Sequence, residues 1–326
     1  MAKPKILVTH SLFEEARKLL DAACDAEYIA DPERPARADV LRRLKDKEGL
    51  VCLLTEKVNE ELLRAAPKLR IAANVAVGYD NIDVPACTKQ GVVATNTPGV
   101  LDETTADFAW TLLMAVARRI GEGELLARSG NWKGWNLDQL CGTDVWGKTL
   151  GIVGFGRIGR AVARRALGFQ MSVIYTDAVR APEDKEKAVS AEFRDMNTLL
   201  AESDFISLHV PLLAETRGLF DGPKFYRMKP GAYLINTSRG PVVDEAALVA
   251  ALENKKIAGA ALDVYENEPF IHPGLKRPNV VLAPHLASAS IETRTKMAVM
   301  AVTNVLGLFK GQRPPNMINP EVLKKA

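Results

Sequence analysis

An excess of charge of one sign is nearly absent from this chain. Its 326 residues carry 43 basic and 40 acidic side chains, a formal net charge of +3. That balance gives no electrostatic case for a polyanion partner. The basic runs are short, Arg118-Arg119, Arg164-Arg165 and Lys255-Lys256, and read as solvated helix faces rather than a nucleic-acid surface. Cysteine is scarce: Cys24, Cys52, Cys87 and Cys141 lie 28, 35 and 54 residues apart. No pair has the spacing of a zinc site or a redox motif, so no metal is expected. Isolated thiols fit a reducing compartment. No apolar run approaches the ~20 residues needed to span a bilayer, and Ile6-Leu7-Val8 is too short for a signal-peptide core. The expectation is a cytoplasmic protein with neither a nucleic-acid nor a membrane partner. Histidine is the last scarcity. Only His10, His209, His272 and His285 are present, so any imidazole chemistry falls on one of four residues.

What is present is apolar and evenly distributed. Hydrophobic residues make up 47% of the chain and charged residues 25%, ordinary values for a globular protein. At roughly 100–200 residues per domain, the length predicts two domains. Short Val/Ile/Leu-rich runs alternate with amphipathic stretches, the pattern of parallel strands joined by helical crossovers. In the first part, strands are expected at Ile6–Thr9, Leu50–Leu54, Ile71–Val75 and Val92–Thr95, with helices at Leu12–Leu20 and Asn59–Ala66. A long helix is expected from Thr104 to Ile120, with Thr104 and Asp107 in the spacing of a capping box. The stretch Ser129–Lys148 holds Trp132, Trp135 and Trp146, has poor periodicity and reads as a connector or arm. Strands are then expected at Thr149–Gly154, Ser172–Thr176, Asp204–Val210, Ala232–Thr237, Gly259–Val264 and Asn279–Ala283. Helices are expected at Ile158–Leu167, Met196–Glu202, Glu245–Asn254 and Ile291–Phe309. This order suggests a dinucleotide-binding domain inserted into a smaller domain built from both chain ends.

The sequence Gly154-Phe155-Gly156-Arg157-Ile158-Gly159 fits G-x-G-x-x-G. Alone it is a weak signal, but here a strand precedes it and a helix follows. Gly154 permits the tight turn, Gly156 lets the backbone approach a pyrophosphate, and Gly159 lets helix and strand pack closely. The N–H groups that open the helix, from Arg157 and Ile158 onward, then meet the phosphate charge. Asp177 ends the next strand, 18 residues after Gly159. A carboxylate there accepts from ribose hydroxyls and repels the extra phosphate of NADP. NAD(H) is therefore favoured. Arg180, close behind, weakens that preference and leaves NADP(H) open.

Three side chains stand at or after strand ends. His285 follows Val280–Ala283 and Pro284, and imidazole suits proton exchange near neutral pH. His10 and His209 also follow strands, so position does not choose among them. Arg239 follows Ile235–Ser238, and its fork matches two carboxylate oxygens. Glu268 lies in the acidic loop Asp263–Pro269; a carboxylate beside His285 would stabilise the imidazolium. On residue chemistry alone each has a plainer alternative: a structural histidine, a surface ion pair, a solvated acid.

Taken together these motifs closely resemble the D-2-hydroxyacid dehydrogenase family over essentially the whole chain. The resemblance is carried by Val77-Gly78-Tyr79-Asp80-Asn81-Ile82-Asp83, Thr95-Asn96-Thr97-Pro98-Gly99, Gly151–Gly159, Asn236-Thr237-Ser238-Arg239-Gly240, Asp263–Pro269 and Pro284-His285. It implies an α/β fold: a doubly wound parallel-sheet (Rossmann) cofactor domain, residues 100–286, inserted into a smaller flavodoxin-like substrate domain, residues 1–99 and 287–326. It implies that Arg239 binds the substrate, His285 is the acid/base and Glu268 supports His285. It implies substrate contacts by the Val77 and Gly78 amides and by Trp135. Cofactor contacts are implied for Thr105, Gly154, Gly156, Arg157, Ile158, Gly159, Asp177, Val210, Pro211, Thr216, Thr237, Ser238, Asp263, His285 and Ala287. A homodimer formed through the 100–150 arm is implied as well. Within the family the chain is most similar to glyoxylate/hydroxypyruvate reductases, which take small 2-oxo or 2-hydroxy acids. Phosphoglycerate and D-lactate dehydrogenases are the near alternatives. Phosphite dehydrogenases carry a Lys where this chain has Val77. NAD(H)-sensing corepressors share the fold and stand as a binding-module alternative.

Overall fold

The computed structural model describes residues 2–29 and 35–324. The chain forms two compact units, 1–101 together with 289–326, and 102–288. Both are α/β layers around a wholly parallel sheet.

The first unit contains β1 (Lys5–Val8), α1 (Glu14–Ala23), β2 (Asp25–Tyr28), α2 (Arg37–Arg43), β3 (Gly49–Cys52), α3 (Glu60–Ala65), β4 (Ile71–Asn74), α4 (Val84–Lys89) and β5 (Val93–Thr95). Among the described residues its five strands run in the order β2-β1-β3-β4-β5, the flavodoxin-like order. Apart from Lys5 and Asn74 at strand ends, the inner strands β1, β3 and β4 are apolar because both faces are covered. Ile6, Val8, Val51, Ile71 and Ala73 pack with α1 and a C-terminal helix on one side. Leu7, Leu50, Cys52 and Ala72 pack with α2, α3 and α4 on the other. Asn59 caps α3 by accepting from the Leu62 N–H, and Asp83 caps α4 through Ala86 N–H.

The second unit contains α5 (Asp102–Ala117), α6 (Ile120–Arg128), β6 (Thr149–Val153), α7 (Arg157–Ala166), β7 (Ser172–Thr176), α8 (Glu183–Lys187), β8 (Ala191–Phe193), α9 (Met196–Glu202), β9 (Phe205–Leu208), α10 (Gly222–Arg227), β10 (Tyr233–Asn236), α11 (Glu245–Glu253), β11 (Gly259–Leu262) and β12 (Val280–Leu282). The C-terminal helix of the first unit is α12 (Ile291–Phe309). The strand order is β12-β11-β10-β9-β6-β7-β8, so the sequence order reverses between β6 and β9. In doubly wound sheets ligands bind beyond the carboxyl ends of the strands at that reversal. Leu150, Ile152, Tyr175, Phe205 and Ile235 pack against α5 and α7. Val153, Ile206, Leu208, Leu234 and Leu262 pack against α9, α10 and α11.

Several sequence expectations need correction. The long helix begins at Asp102, so Thr104 lies inside its first turn and is not its N-cap. It also stops at Ala117, because Arg119 takes a left-handed conformation (φ 53°) and α6 restarts at Ile120. The edge strands β2 and β8 and the short helices α2, α4, α6, α8 and α10 had no counterpart in the pattern. Among the described residues, 129–148 hold no helix or strand.

Candidate active site

Within the second unit, six parallel strands deliver chemistry-bearing residues to one edge of the sheet. The glycine turn follows β6, Asp177 follows β7, His209 and Val210 follow β9, and Thr237–Arg239 follow β10. Asp263 follows β11, and His285 lies beyond β12. Gly154 has φ +95°, and a Cβ there would lie 2.7 Å from the His209 carbonyl. A Cβ on Gly159 would lie 2.1 Å from the Gly154 oxygen. Those two glycines are required by the protein itself. Gly156 is different: it is exposed, and a Cβ would meet nothing within 4 Å. Only something outside the chain explains a glycine there. Beside it, α7 opens with Arg157, Ile158 and Gly159, whose N–H groups precede the first intrahelical acceptors. The Thr237 hydroxyl is buried with no partner. An open cradle, a helix N-terminus and an orphaned hydroxyl on one edge fit a nicotinamide dinucleotide.

Asp177 is tied to the turn. Its carboxylate accepts from Phe155 N at 2.6 Å and from Ala178 N at 2.7 Å. Arg180 points its fork elsewhere. Its Nε and Nη2 each donate at 2.9 Å to the buried Glu186 carboxylate, which also accepts from the Tyr175 hydroxyl at 2.6 Å. The Arg180 and Tyr175 donors hold the Glu186 carboxyl down to about 2.

The second cluster is Glu268, His285 and Arg239. His285 Nδ1 lies 2.9 Å from Glu268 Oε2, and Glu268 Oε1 accepts from Tyr265 N at 3.1 Å. Burial pushes the Glu268 carboxyl up. The His285 bond and charge, the Tyr265 amide and the nearby Arg239 charge outweigh it, and the net shift is downward. An ionised carboxylate only accepts, so Nδ1 carries the shared proton. Nε2 is then the ring nitrogen that Glu268 leaves unengaged, and the side chain is 27% exposed. Asn236 builds the Arg239 turn: its Nδ2 donates to the Arg239 carbonyl at 3.0 Å, while its Oδ1 accepts from Ser238 N and Oγ.

His285 has φ +58°, a left-handed conformation for a residue with a side chain. Such a residue costs about 1–3 kcal/mol and persists only when its surroundings impose it. Asp263 imposes it. Wholly buried, it accepts from Leu286 N at 2.6 Å and Ala287 N at 2.8 Å, while its carbonyl takes His285 N at 2.9 Å. Hydrogen bonds to a carboxylate contribute about 1.5–3 kcal/mol each, enough to hold the strained turn.

The other histidines separate cleanly from His285. Burial alone lowers His209 to about 3 and His10 to about 4; both are neutral near pH 7. His209 bonds Ser207, and His272 accepts from Gly274 N to cap a short turn. Of the remaining expected residues, Thr105 is buried in α5, and Thr216 bonds the Pro211 carbonyl and Leu213 N to shape the loop after Val210. Trp135 is 82% exposed in the arm. Val77 and Gly78 belong to the first unit, after β4. Sequence reasoning missed Tyr175, Glu186 and Asn236; the last was detectable as a lone amide ending the apolar strand Tyr233-Leu234-Ile235. Among the described residues no group of three or more His, Cys, Asp or Glu side chains can hold a metal, and no helix is long and apolar enough to cross a membrane.

Residues 110–287 match the model of the D-isomer specific 2-hydroxyacid dehydrogenase NAD-binding domain. The chain is 50% identical to a glyoxylate reductase of Thermococcus litoralis, over 98% of each. The chain belongs to the D-2-hydroxyacid dehydrogenase family. A glyoxylate reductase of Korarchaeum cryptofilum is also 50% identical, over 99% of this chain and 98% of that one. A crystal structure of an NADPH-dependent glyoxylate/hydroxypyruvate reductase from Sinorhizobium meliloti, with NADP and malonate, matches with TM-score 0.85, 33% identity and 98% coverage of each chain. Membership accounts for the Rossmann-type sheet and the glycine turn in one chain.

Proposed function

We propose that this family member reduces glyoxylate to glycolate and hydroxypyruvate to glycerate, with NADH as the favoured coenzyme. The observation that carries the chemistry is the His285–Glu268 pair at 2.9 Å on the same sheet edge as the glycine turn. The choice of acids rests on the glyoxylate reductases that this chain resembles. When bound, the dinucleotide supplies the hydride. His285, protonated at Nε2, donates to the carbonyl oxygen; such general acid catalysis is typically worth roughly 10²–10⁴-fold. Glu268 keeps the ring charged and oriented. Arg239 binds the substrate carboxylate and favours the negative charge that develops on the carbonyl oxygen. In the other unit, the Val77 and Gly78 amides are the second proposed carboxylate donors.

For the coenzyme, Gly154, Gly156, Arg157, Ile158 and Gly159 are assigned to the pyrophosphate and Asp177 to the adenosine ribose. The remaining lone pairs of Asp177 suit hydroxyl donors and not a phosphate. Arg180, engaged by Glu186, offers little to a 2′-phosphate. Thr105, Val210, Pro211, Thr216, Thr237, Ser238, Asp263 and Ala287 complete the assigned cofactor contacts. The arm exposes Ile120, Leu125, Trp132, Trp135, Leu137 and Trp146, a concentration of apolar side chains that supports a homodimer. Sedimentation equilibrium tests it: twice the chain mass is expected, and a monomer at micromolar concentration removes it.

The test of the function is a panel of glyoxylate, hydroxypyruvate, pyruvate and 3-phosphohydroxypyruvate, each with NADH and NADPH. The highest kcat/KM is expected for glyoxylate or hydroxypyruvate with NADH. No turnover of any acid with either coenzyme removes the reading.

A further inference from the structure

The loop after β4 carries three consecutive peptides whose carbonyls are all held by the protein. Ala76 O accepts from Thr97 N at 2.9 Å. Val77 O accepts from Asn96 Nδ2 at 2.7 Å. Gly78 O accepts from Asn74 Nδ2 at 2.9 Å. These peptides are trans, and in a trans peptide the C=O and N–H point in opposite directions. Fixing each carbonyl therefore fixes the N–H of the same peptide, that of Val77, Gly78 or Tyr79, pointing away from the group that holds the carbonyl. None of the three finds an acceptor among the described residues.

The fixing groups are themselves supported. Asn74 is wholly buried at the end of β4, and Asn81 braces the same loop by donating to the Glu56 carbonyl at 2.9 Å. Asn96 is held through its backbone. Its N–H donates to Asn316 O at 3.3 Å, and its carbonyl accepts from Asn304 Nδ2 at 3.4 Å. Asn304 is a wholly buried amide in α12, flanked by the buried apolar Ala301, Val302 and Val305, and its Oδ1 accepts from Asn316 N at 3.1 Å. A buried amide there is costly unless both ends are satisfied, and here both ends serve the Asn96 segment.

We propose that Asn96 is a positioning residue for the substrate carboxylate: its side-chain amide locks the Val77–Gly78 peptide so that the Gly78 N–H is presented to the anion. Asn74 and the Thr97 amide lock the two flanking peptides, and Asn304 sets Asn96. This rests on the proposed 2-oxo acid reduction. It adds the reason that backbone donors in an irregular loop are held ready before substrate arrives.

The experiment compares wild type with Asn96→Ala and the isosteric Asn96→Asp, which accepts where Asn96 donates. An N–H bond to a charged group lost from the Michaelis complex raises KM for glyoxylate by about tenfold or more. The expected pattern is that rise in both variants, with kcat within about threefold, a parallel rise in the inhibition constant of oxalate, and an unchanged NADH dissociation constant. Glyoxylate reduction with an unaltered KM in the folded variants, whatever their Tm, overturns the role of Asn96 and leaves the function standing. A second measurement needs no variant. In NADH-loaded wild type, oxalate is expected to slow amide exchange in the peptide covering 75–82; unchanged exchange overturns the proposal. Should wild type reduce none of the acids, the function fails, and the oxalate exchange decides the loop alone.

Discussion

A histidine with φ +58° next to a buried aspartate is expensive local structure, and it exists to aim one ring. Asp263 holds the backbone through two amides, Glu268 fixes Nδ1, and Nε2 is left for proton exchange. The downward shift of Glu268 means that it is ionised well below neutrality and stays so across the working range. Its contribution to stability is present above its unfolded pKa and is lost only as pH falls through the folded value. In the proposed mechanism reduction uses the protonated ring and oxidation the neutral one. Glu268→Gln removes the charge that favours imidazolium, and the alkaline limb of the reductive kcat/KM profile should move to lower pH. An unmoved limb, measured by initial rates from pH 5 to 10, would separate Glu268 from His285.

At the scale of elements, the turn between β6 and α7 and the end of β7 act as one piece, because Asp177 accepts from Phe155 N. Asp177→Ala removes both an anchor of the turn and the carboxylate proposed to disfavour a 2′-phosphate. NADH affinity should fall, and kcat/KM with NADPH relative to NADH should rise. Steady-state kinetics with both coenzymes checks this; an unchanged ratio means that the choice is made elsewhere. Sequence pattern was informative for elements buried on both faces. The runs around Ile71–Asn74, Thr149–Val153 and Tyr233–Asn236 are apolar except for one polar residue at an end, because a covered parallel strand has no polar side. It failed at edges. Asp25-Ala26-Glu27-Tyr28 forms a strand with no fully buried residue, and α6 buries none either. Such elements are set by tertiary neighbours and leave no apolar period to read. The same holds at the site. Arg239, Glu268 and His285 follow strands and were visible as candidates. Asn74, Asn96 and Asn236 work by fixing carbonyls; an amide ending an apolar strand marks a position, but nothing local marks which carbonyl it fixes.

For the whole molecule, the middle of the chain forms a seven-stranded unit and the two ends form a five-stranded unit. The proposed coenzyme cradle and the proposed acid/base pair lie in the same unit, on one edge of its sheet. The proposed carboxylate donors of Val77 and Gly78 belong to the other unit. The proposed dimer arm belongs to the unit with the cradle, where Trp135 is 82% exposed. The division predicts separable defects: damage at His285 strikes the chemical step, while damage at the Val77–Gly78 loop strikes carboxylate binding. The most direct measurement is therefore single-turnover oxidation of bound NADH by saturating glyoxylate, in wild type and in His285→Asn, beside the NADH dissociation constant of each. The expected result is a fall of about 10²–10⁴-fold in the single-turnover rate with NADH binding within twofold of wild type. A variant that oxidises NADH at near the wild-type rate contradicts the assignment of His285 as the acid.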